Sequence, residues 1–414
     1  MLLEYRVNNF GSFKEDAVLR LKPGKVMSRF EDNVIHAQDK LKVLKGAVIV
    51  GENAGGKTGF MRSLHYLQYL FSKDTRIASS KKLMHKYEEN TTQRFEIVVV
   101  INDTIYTYKL EIDRYGIVDE ELLIRNIAQT KNMDKQLFRI LRKNVKEAQT
   151  QRNKDNKLEV IEIQMTYGVE ISDNTKWIDK KVKDVILKNV LNTSGLFIKY
   201  FSAIGVEIVK PFIEWMQEKL IVELPGDHNL NFYKKVERNE LDYKIMQEAS
   251  FLDIFRLVDP TIIKIEIDKE QPFEKSIVVR KGKDDKVFRI ELEFESSGTR
   301  EFFAWAIQIW KVIYNNCTLF ADEVDKVLNV ILSQKIVALV HGSEHMGQFI
   351  YSTHNVLHLD TNHYMKEQLY FVSKDRETLT SEIYSLADIK GYRYDKWDVY
   401  DLYLRGVLGG TPND

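Results

Sequence analysis

The sequence predicts an α/β fold with a mixed central sheet. Its two lobes are formed by parts of the chain that are far apart in sequence. Three short apolar runs lead to this prediction, because each ends in polar residues of a distinct kind. Ala47–Val50 precedes a glycine-rich turn, Cys317–Ala321 precedes two carboxylates, and Gln348–Thr353 precedes a histidine. Such runs are typical of buried parallel strands, and α/β sheets bind ligands at the carboxyl ends of these strands. With 414 residues, a split head with an inserted domain is favoured over two independent domains.

The glycine-rich turn has the spacing of a phosphate-binding loop, G-x-x-x-x-G-K-[ST]. Its glycines let consecutive backbone N–H groups face phosphate oxygens at the start of a helix. Lys57 is expected to pair with the β- and γ-phosphates, and the Thr58 hydroxyl to ligate Mg²⁺. The alternative is a turn without a ligand, which the preceding strand and following helix disfavour. The predicted nucleotide-binding residues are Gly51, Glu52, Asn53, Ala54, Gly55, Gly56, Lys57 and Thr58.

Two carboxylates, Asp322 and Glu323, follow the second apolar run. Alone, an Asp-Glu pair is usually a solvated loop. At the end of a buried strand in a chain with a phosphate-binding loop, Asp322 is expected to hold Mg²⁺ through water. Glu323 is then expected to orient and polarise the attacking water as a general base.

Two further segments suit anion binding. Ser296 and Gly298 lie where a helical pattern begins, so their hydroxyl and N–H groups can face an anion. His354 follows the third apolar run and could contact a γ-phosphate from the strand end. Taken separately, an ordinary helix cap and an ordinary strand-end histidine are the simpler interpretations.

The order of these motifs resembles the ABC-type ATPase heads of SMC proteins, their break-repair relatives and the OLD-type nucleases. More closely, the chain resembles the AAA-domain ATPases of bacterial anti-phage and abortive-infection systems, including the ATPase component of PARIS. The resemblance rests on Leu3–Phe13 with its "NF-x-SF" turn, on Leu44–Ala47 before the phosphate-binding loop, on Asn192–Phe197 and on the tail Tyr403–Pro412. It extends from end to end and is weakest in the middle.

The resemblance implies an ABC-type P-loop NTPase head with split lobes, an antiparallel β-subdomain and an inserted, largely helical domain. The implied domains are an N-terminal lobe at 1–127, the insertion at 128–255 and a C-terminal lobe at 256–414. A hairpin in the β-subdomain is also indicated by alternation in Phe95–Val100 and Tyr106–Ile112, on either side of a turn-like Asn-Asp.

The resemblance also implies roles for the site residues and ATP with Mg²⁺ as cofactors. Lys57, Glu323 and His354 would be catalytic, with His354 as the switch histidine, while Thr58 and Asp322 would bind the metal. The turn from Ser296 to Gly298 would reach across a head-to-head dimer to the γ-phosphate held by the partner.

The chain departs from the family's pattern in three places. Gly55 stands in place of a small hydroxyl residue and Asn329 in place of His or Asp, and no Q-loop glutamine is placed. These departures favour slow hydrolysis.

Composition excludes several classes of protein. Lys+Arg 61 against Asp+Glu 61 leaves no net charge that would indicate nucleic-acid binding. One cysteine, Cys317, excludes a disulfide framework and a Cys-rich zinc site or hook. No apolar run approaches the roughly 20 residues of a membrane helix, and Met1–Phe10 does not look like a signal peptide, so a cytoplasmic location is expected.

The middle of the chain leaves alternatives open. Basic residues concentrate between Lys131 and Lys157, which is either a nucleic-acid or partner-binding arm, or a solvated helix face or loop in a lid. The second is favoured because aromatic residues are sparse there. Apolar residues at helical spacing across 206–222 indicate core.

Together these observations predict an ATP hydrolase that acts as a homo-oligomeric sensor or scaffold. It would hold or activate a separate toxic effector, such as a nuclease, in anti-phage defence, with a phage-encoded trigger as a further partner. The alternative is an SMC-like DNA-repair or DNA-binding ATPase, for which the chain leaves no room for a long coiled coil. A non-hydrolysing relic is disfavoured because each catalytic position holds a suitable residue.

Overall fold

A computed structural model describes residues 1–37, 41–72, 77, 83–85, 92–128, 134–145, 149–152, 158–162, 165–170, 180, 183–186, 195–224, 240–326, 328–394 and 397–410. The strands in chain order are β1 (Leu2–Asn8), β2 (Ala17–Arg20), β3 (Val34–Ala37), β4 (Leu41–Leu44), β5 (Gly46–Gly51), β6 (Gln93–Ile101), β7 (Thr104–Asp113), β8 (Gly116–Asn126), β9 (Lys135–Val145), β10 (Gln149–Arg152), β11 (Leu158–Glu162), β12 (Met165–Glu170), β13 (Leu220–Glu223), β14 (Ile262–Glu266), β15 (Ile277–Lys281), β16 (Val287–Glu291), β17 (Thr318–Ala321), β18 (Gln348–Thr353), β19 (Leu369–Lys374) and β20 (Ser381–Ser385). The α-helices are α1 (Lys57–Ser72), α2 (Phe197–Ala203), α3 (Lys210–Glu214), α4 (Glu240–Met246), α5 (Ala249–Phe255), α6 (Ser297–Asn315), α7 (Val330–Gly342) and α8 (Val399–Leu404).

The central sheet has six strands in the order β13-β17-β18-β5-β19-β20. All neighbours are parallel except the β19–β20 pair. Its strands are short and apolar because both faces of a parallel sheet are covered. Along β5, Ala47 and Ile49 pack into one hydrophobic cluster, and Val48 and Val50 into the other. The central sheet is therefore the middle layer between two cores.

An antiparallel sheet of seven strands, in the order β12-β9-β8-β7-β6-β1-β2, forms the second large layer. The predicted hairpin is confirmed as β6 and β7, whose two-residue turn begins with Asn102 at φ 51°. Helix α1 packs on this sheet, with Phe71 and Tyr108 ring centroids 5.2 Å apart. Buried residues of α1 and the inner face of the central sheet share the same core, so this helix lies between the two sheets.

The prediction of a largely helical insertion at 128–255 is wrong for its first third. Strands β9 and β12 extend the antiparallel sheet beyond 127, and β10 pairs with β11. Helices follow from residue 180 onward in the described part, as predicted. Residues 206–222 are core as expected, but Leu220 begins β13 and does not continue the helix. The domain boundaries at 127 and 255 stay a prediction.

The basic segment between 131 and 157 is described only in part, and that part is mostly strand β9. Arg139 hydrogen-bonds Asp119 with two nitrogens, the shorter contact being 2.6 Å. Arg142 is ion-paired with Asp113, and only 7% of its side chain is exposed. Because both guanidinium groups are already neutralised, they are poorly suited to phosphate contacts. The favoured interpretation, a solvated helix face or loop in a lid, is wrong for Lys135–Val145, which is a strand of the antiparallel sheet.

The C-terminal lobe surrounds the other face of the central sheet. Helices α6 and α7 pack there, together with residues of β14 and β15. Within the described ranges, no helix is long and apolar enough to cross a membrane. Of the residues quoted for the family resemblance, 192–194, 411 and 412 lie outside the described residues.

Candidate functional site

The three predicted strand ends meet at one edge of the central sheet. Strand β18 lies between β5 and β17, and all three run in the same direction. Their carboxyl ends therefore bring together the phosphate-binding loop, the Asp322-Glu323 pair and His354. Together with the antiparallel sheet and the lobes drawn from both ends of the chain, this confirms the predicted α/β head with split lobes, a mixed central sheet and an antiparallel β-subdomain.

The phosphate-binding loop curls back on its own lysine. Lys57 Nζ donates to the carbonyl of Gly51 at 2.7 Å and to that of Glu52 at 2.9 Å. Two loop residues have positive φ, Ala54 at 61° and Gly56 at 126°. The φ of Gly56 lies in a region that residues with a side chain rarely adopt, which explains the glycine at that position. The lysine amine is thus held at the centre of the loop, where a phosphate would replace its carbonyl partners.

Lys57 is 4% exposed, and it faces the carboxylates. Burial lowers the pKa of Lys57, while Asp322 and Glu323 act in the opposite direction. Its Nζ also lies 3.4 Å from His354 Nδ1. A buried ammonium beside several acceptors is suited to an anionic ligand that brings further negative charge.

Asp322 is fully buried at the end of β17. Ser352 of the neighbouring strand donates its hydroxyl to Asp322 Oδ1, whereas Oδ2 has no hydrogen-bond partner among the described residues. Burial raises the pKa of Asp322, and the hydroxyls of Ser352 and Thr58 partly counter this effect. An unpartnered buried carboxylate oxygen next to a threonine hydroxyl matches the needs of a hard cation or of its bound water.

Glu323 has a backbone that is rare outside glycine, with φ at 52°. Its N–H donates to the Ser352 hydroxyl at 2.8 Å, so one serine positions both carboxylates. The Glu323 carboxylate is ion-paired with Lys326 and lies 3.5 Å from His354 Nε2. Burial raises the pKa of Glu323, but Lys326 and His354 outweigh it, and the net pKa lies below the usual value. The carboxylate is therefore ionised and turned towards the histidine.

His354 links the lysine and the glutamate. Its ring nitrogens face Lys57 on one side and Glu323 on the other, and its backbone N–H donates to Asp325 Oδ1 at 3.1 Å. This placement next to both groups suits a residue that senses the terminal phosphate.

The predicted turn at Ser296 and Gly298 is not part of this cluster. Ser296 caps helix α6 by accepting a hydrogen bond from Thr299 N at 3.2 Å. A side chain added at Gly298 would meet no atom within 4 Å, so the helix start is open. Within the described ranges, neither residue hydrogen-bonds the phosphate-binding loop. Asn329, one of the family departures, caps helix α7 by accepting from Leu332 N at 2.9 Å.

Sequence reasoning missed Ser352 and Lys326. Both lie within four residues of a predicted site residue, and Ser352 lies near the end of β18, two residues before His354. Sequence position shows that Ser352 lies near the end of its strand. Its contacts with Asp322 and Glu323, however, depend on the β17–β18 pairing.

The residues present fit a nucleotide and a magnesium ion. The loop supplies backbone N–H groups and a lysine amine, and Thr58 and Asp322 supply oxygen ligands. Within the described part of the chain, no three His, Cys, Asp or Glu side chains are grouped to hold a metal by themselves. This is compatible with Mg²⁺, which commonly relies on one or two protein ligands, water and substrate phosphates.

Several solved structures have a similar architecture. An SMC head domain from Thermotoga maritima is 15% identical, with a TM-score of 0.44 over 93% of this chain and 98% of that chain. An SMC head bound to the C-winged helix domain of ScpA is 12% identical, with a TM-score of 0.46 over 93% and 97%. An Smc head with an extended coiled coil bound to the C-terminal domain of ScpA, derived from Pyrococcus furiosus, is 12% identical, with a TM-score of 0.42 over 93% and 96%. No family model matches the chain, and no curated protein matches it.

Proposed function

We propose that this protein hydrolyses ATP to ADP and phosphate with Mg²⁺. The observation that carries the proposal is the meeting of Lys57, Asp322, Glu323 and His354 at one sheet edge, with Lys57 Nζ 3.4 Å from His354 and His354 3.5 Å from Glu323. These are the groups that phosphoryl transfer to water requires: a phosphate cradle, a metal-side carboxylate and a water-orienting base.

Each residue has a defined task in this proposal. The loop N–H groups and Lys57 bind the β- and γ-phosphates, and Thr58 with Asp322 holds the ion. When bound, Mg²⁺ neutralises charge on the phosphates. Glu323 orients the attacking water, and His354 contacts the γ-phosphate side. Because Lys326 neutralises part of the charge on Glu323, hydrolysis is slow and ATP binding is itself the longer-lived signal.

We further propose that ATP joins two copies of this chain head to head. The support is the exposed start of helix α6, where Ser296 and the open Gly298 can reach a phosphate held by another subunit. The adjacent Phe294 is 74% exposed, which suits a surface that is covered on assembly. Higher homo-oligomers would build on this dimer.

By resemblance to the anti-phage ATPases, the assembly holds or activates a separate toxic effector in the cytoplasm. ATP between heads favours one assembly state, and hydrolysis or a phage trigger favours another. Only one of the two states retains the effector. Fold alone does not dictate this biology, so it rests on the motif resemblance.

The first experiment is mass photometry of the purified chain with and without Mg-ATP, alone and co-expressed with its neighbouring gene product. Lys57→Ala is the test variant and Lys42→Ala, at an exposed strand position, is the matched control. The proposal expects an ATP-dependent homo-oligomer that captures the neighbour, lost in Lys57→Ala and retained in Lys42→Ala. A monomer that binds no nucleotide would overturn it.

The alternative is an SMC-like DNA-repair or DNA-binding ATPase. DNA-stimulated phosphate release, or assembly only on added DNA, would favour it. The ion pairs of Arg139 and Arg142 weigh against β9 as a DNA-binding arm. A mobility-shift assay with Arg142→Glu and Lys143→Glu together tests that arm, and salt-sensitive binding that the double variant loses would establish it.

A further inference from the structure

Three segments that are distant in sequence meet on the outer side of the phosphate-binding loop. Ser12 follows strand β1, and Ser381 is the first residue of strand β20. Ser381 N donates to Ser12 O at 2.8 Å, and the two hydroxyl oxygens are 2.7 Å apart. Ser381 Oγ also lies 2.5 Å from the carbonyl oxygen of Gly55. Two serines thus connect both ends of the chain to the loop.

The distances rank the two acceptors of the Ser381 hydroxyl. The Ser381 hydroxyl has one hydrogen and two acceptors within reach, Gly55 O at 2.5 Å and Ser12 Oγ at 2.7 Å. The carbonyl oxygen is the nearer acceptor, so the hydrogen bond to Gly55 O is the shorter of the two. Ser381 is 4% exposed, so water competes poorly for this carbonyl, and losing the bond leaves a buried acceptor unsatisfied.

The peptide between Gly55 and Gly56 carries this orientation to the opposite side of the loop. In a trans peptide the C=O and the following N–H point in opposite directions. Because the Gly55 carbonyl faces Ser381 on the outside, the Gly56 N–H faces the inside, where the amine of Lys57 lies. That N–H makes no hydrogen bond within the described residues, so it is available to a phosphate.

This peptide can also turn over more readily than one between residues that carry side chains. Both flanking residues are glycines, and Gly56 has a φ of 126°. A flip would direct the Gly55 carbonyl at the phosphates and remove one donor. A Cβ at Gly56 would lie 2.9 Å from both serine hydroxyl oxygens, so the two hydroxyls fit closely against the bare glycine.

We infer that Ser381 is a positioning residue for nucleotide binding. Its bond to Gly55 keeps the Gly56 N–H aimed at the phosphates. The inference rests on the proposed ATP-binding function and adds a residue that lies 326 positions from the loop. Nucleotide affinity is thereby tied to the correct docking of the β19–β20 hairpin.

The test compares Mg-ATP dissociation constants by isothermal titration for wild type, Ser381→Ala, Ser381→Thr and Ser385→Ala. Ser385 is a matched control, since it is also buried on β20 but bonds Asp388. Loss of one hydrogen bond to a buried carbonyl should weaken binding by about tenfold in Ser381→Ala. Ser381→Thr keeps the hydroxyl and should remain within about threefold of wild type, and Ser385→Ala should match wild type.

Steady-state phosphate release separates positioning from general damage. At saturating ATP, Ser381→Ala should keep kcat within about twofold while KM rises, because the hydroxyl acts on binding. Where Ser381→Ala does not fold, Ser381→Cys is measured instead and should weaken binding by about threefold, since a thiol is a weaker donor than a hydroxyl.

If wild type binds ATP and Lys57→Ala does not, unchanged ATP affinity in Ser381→Ala would overturn this inference and leave the proposed function standing. Unchanged affinity in Ser381→Cys would do the same where that variant replaces Ser381→Ala. Equal weakening by Ser381→Thr and Ser381→Ala would also overturn it, because packing and not the hydroxyl would then be responsible. A wild type that binds no ATP would overturn the proposed function and this inference together.

Discussion

Replacing Lys326 with methionine should make ATP hydrolysis faster. Lys326 is ion-paired with Glu323, the proposed base. Burial raises the pKa of Glu323, and the ammonium of Lys326 is the first of the groups that lower it below the usual value. Methionine keeps much of the aliphatic stem and removes the charge, so the carboxylate becomes a better proton acceptor and is free to turn towards water.

The magnitude follows from exposure. The Lys326 side chain is 63% exposed and that of Glu323 is 17% exposed, so solvent screens the pair. Ion pairs of this kind contribute about 0.5–1 kcal/mol. If this energy is lost on the way to the transition state, its removal raises kcat by about two- to fivefold.

The assay is steady-state phosphate release at saturating Mg-ATP across a range of pH. The acid limb of the rate profile should move to higher pH in Lys326→Met, because the pKa of Glu323 rises towards its ordinary value. Lys210→Met is the matched control: Lys210 also forms an exposed pair, with Glu207 at 2.7 Å and the same three-residue spacing, but it lies outside the site.

An unchanged or lower kcat in Lys326→Met would refute this reasoning, since the lysine would then not restrain the base. A rise of equal size in Lys210→Met would refute it as well. A faster rate without movement of the acid limb would show that the effect does not pass through Glu323.

Two further predictions concern carboxylates. Glu323→Gln should lower phosphate release by at least about a hundredfold and accumulate the ATP-bound assembly in mass photometry; release at the wild-type rate would disprove the assignment of the base. Burial raises the pKa of Glu120 to about 7, although the backbone N–H groups of Ile198 and Phe197 donate to its carboxylate and act to lower the pKa. Since the folded state keeps this proton longer, stability should fall as pH rises from about 4.5 to 7, by about 3 kcal/mol at most. The melting temperature of Glu120→Gln should not show this fall with pH. The same change of melting temperature with pH in wild type and variant would contradict the prediction.

The strand-end motifs could be predicted because their information is local. The apolar runs before Gly51, Asp322 and His354 are short and bounded by polar residues, and the hairpin turn at Asn102 has its own residue signal. Two elements were missed for physical reasons. Strand β13 has four residues, too few to show a period, and its apolar positions continue the helical spacing of Trp215 and Met216. Strand β9 reads as a charge run because it carries the arginines that pair with Asp119 of β8 and Asp113 of β7.

The sequence by itself determined the residue types of the site and their order, because a phosphate loop needs glycines and a lysine at fixed local spacing. Only the tertiary structure decided which partners they have. Ser352 reaches Asp322 and Glu323 across the β17–β18 pairing, and Ser381 reaches Gly55 from the far end of the chain. Such contacts depend on strand register and on the approach of separate lobes. No local pattern encodes them, since a hydroxyl has the same sequence signal whether it faces solvent or a loop carbonyl.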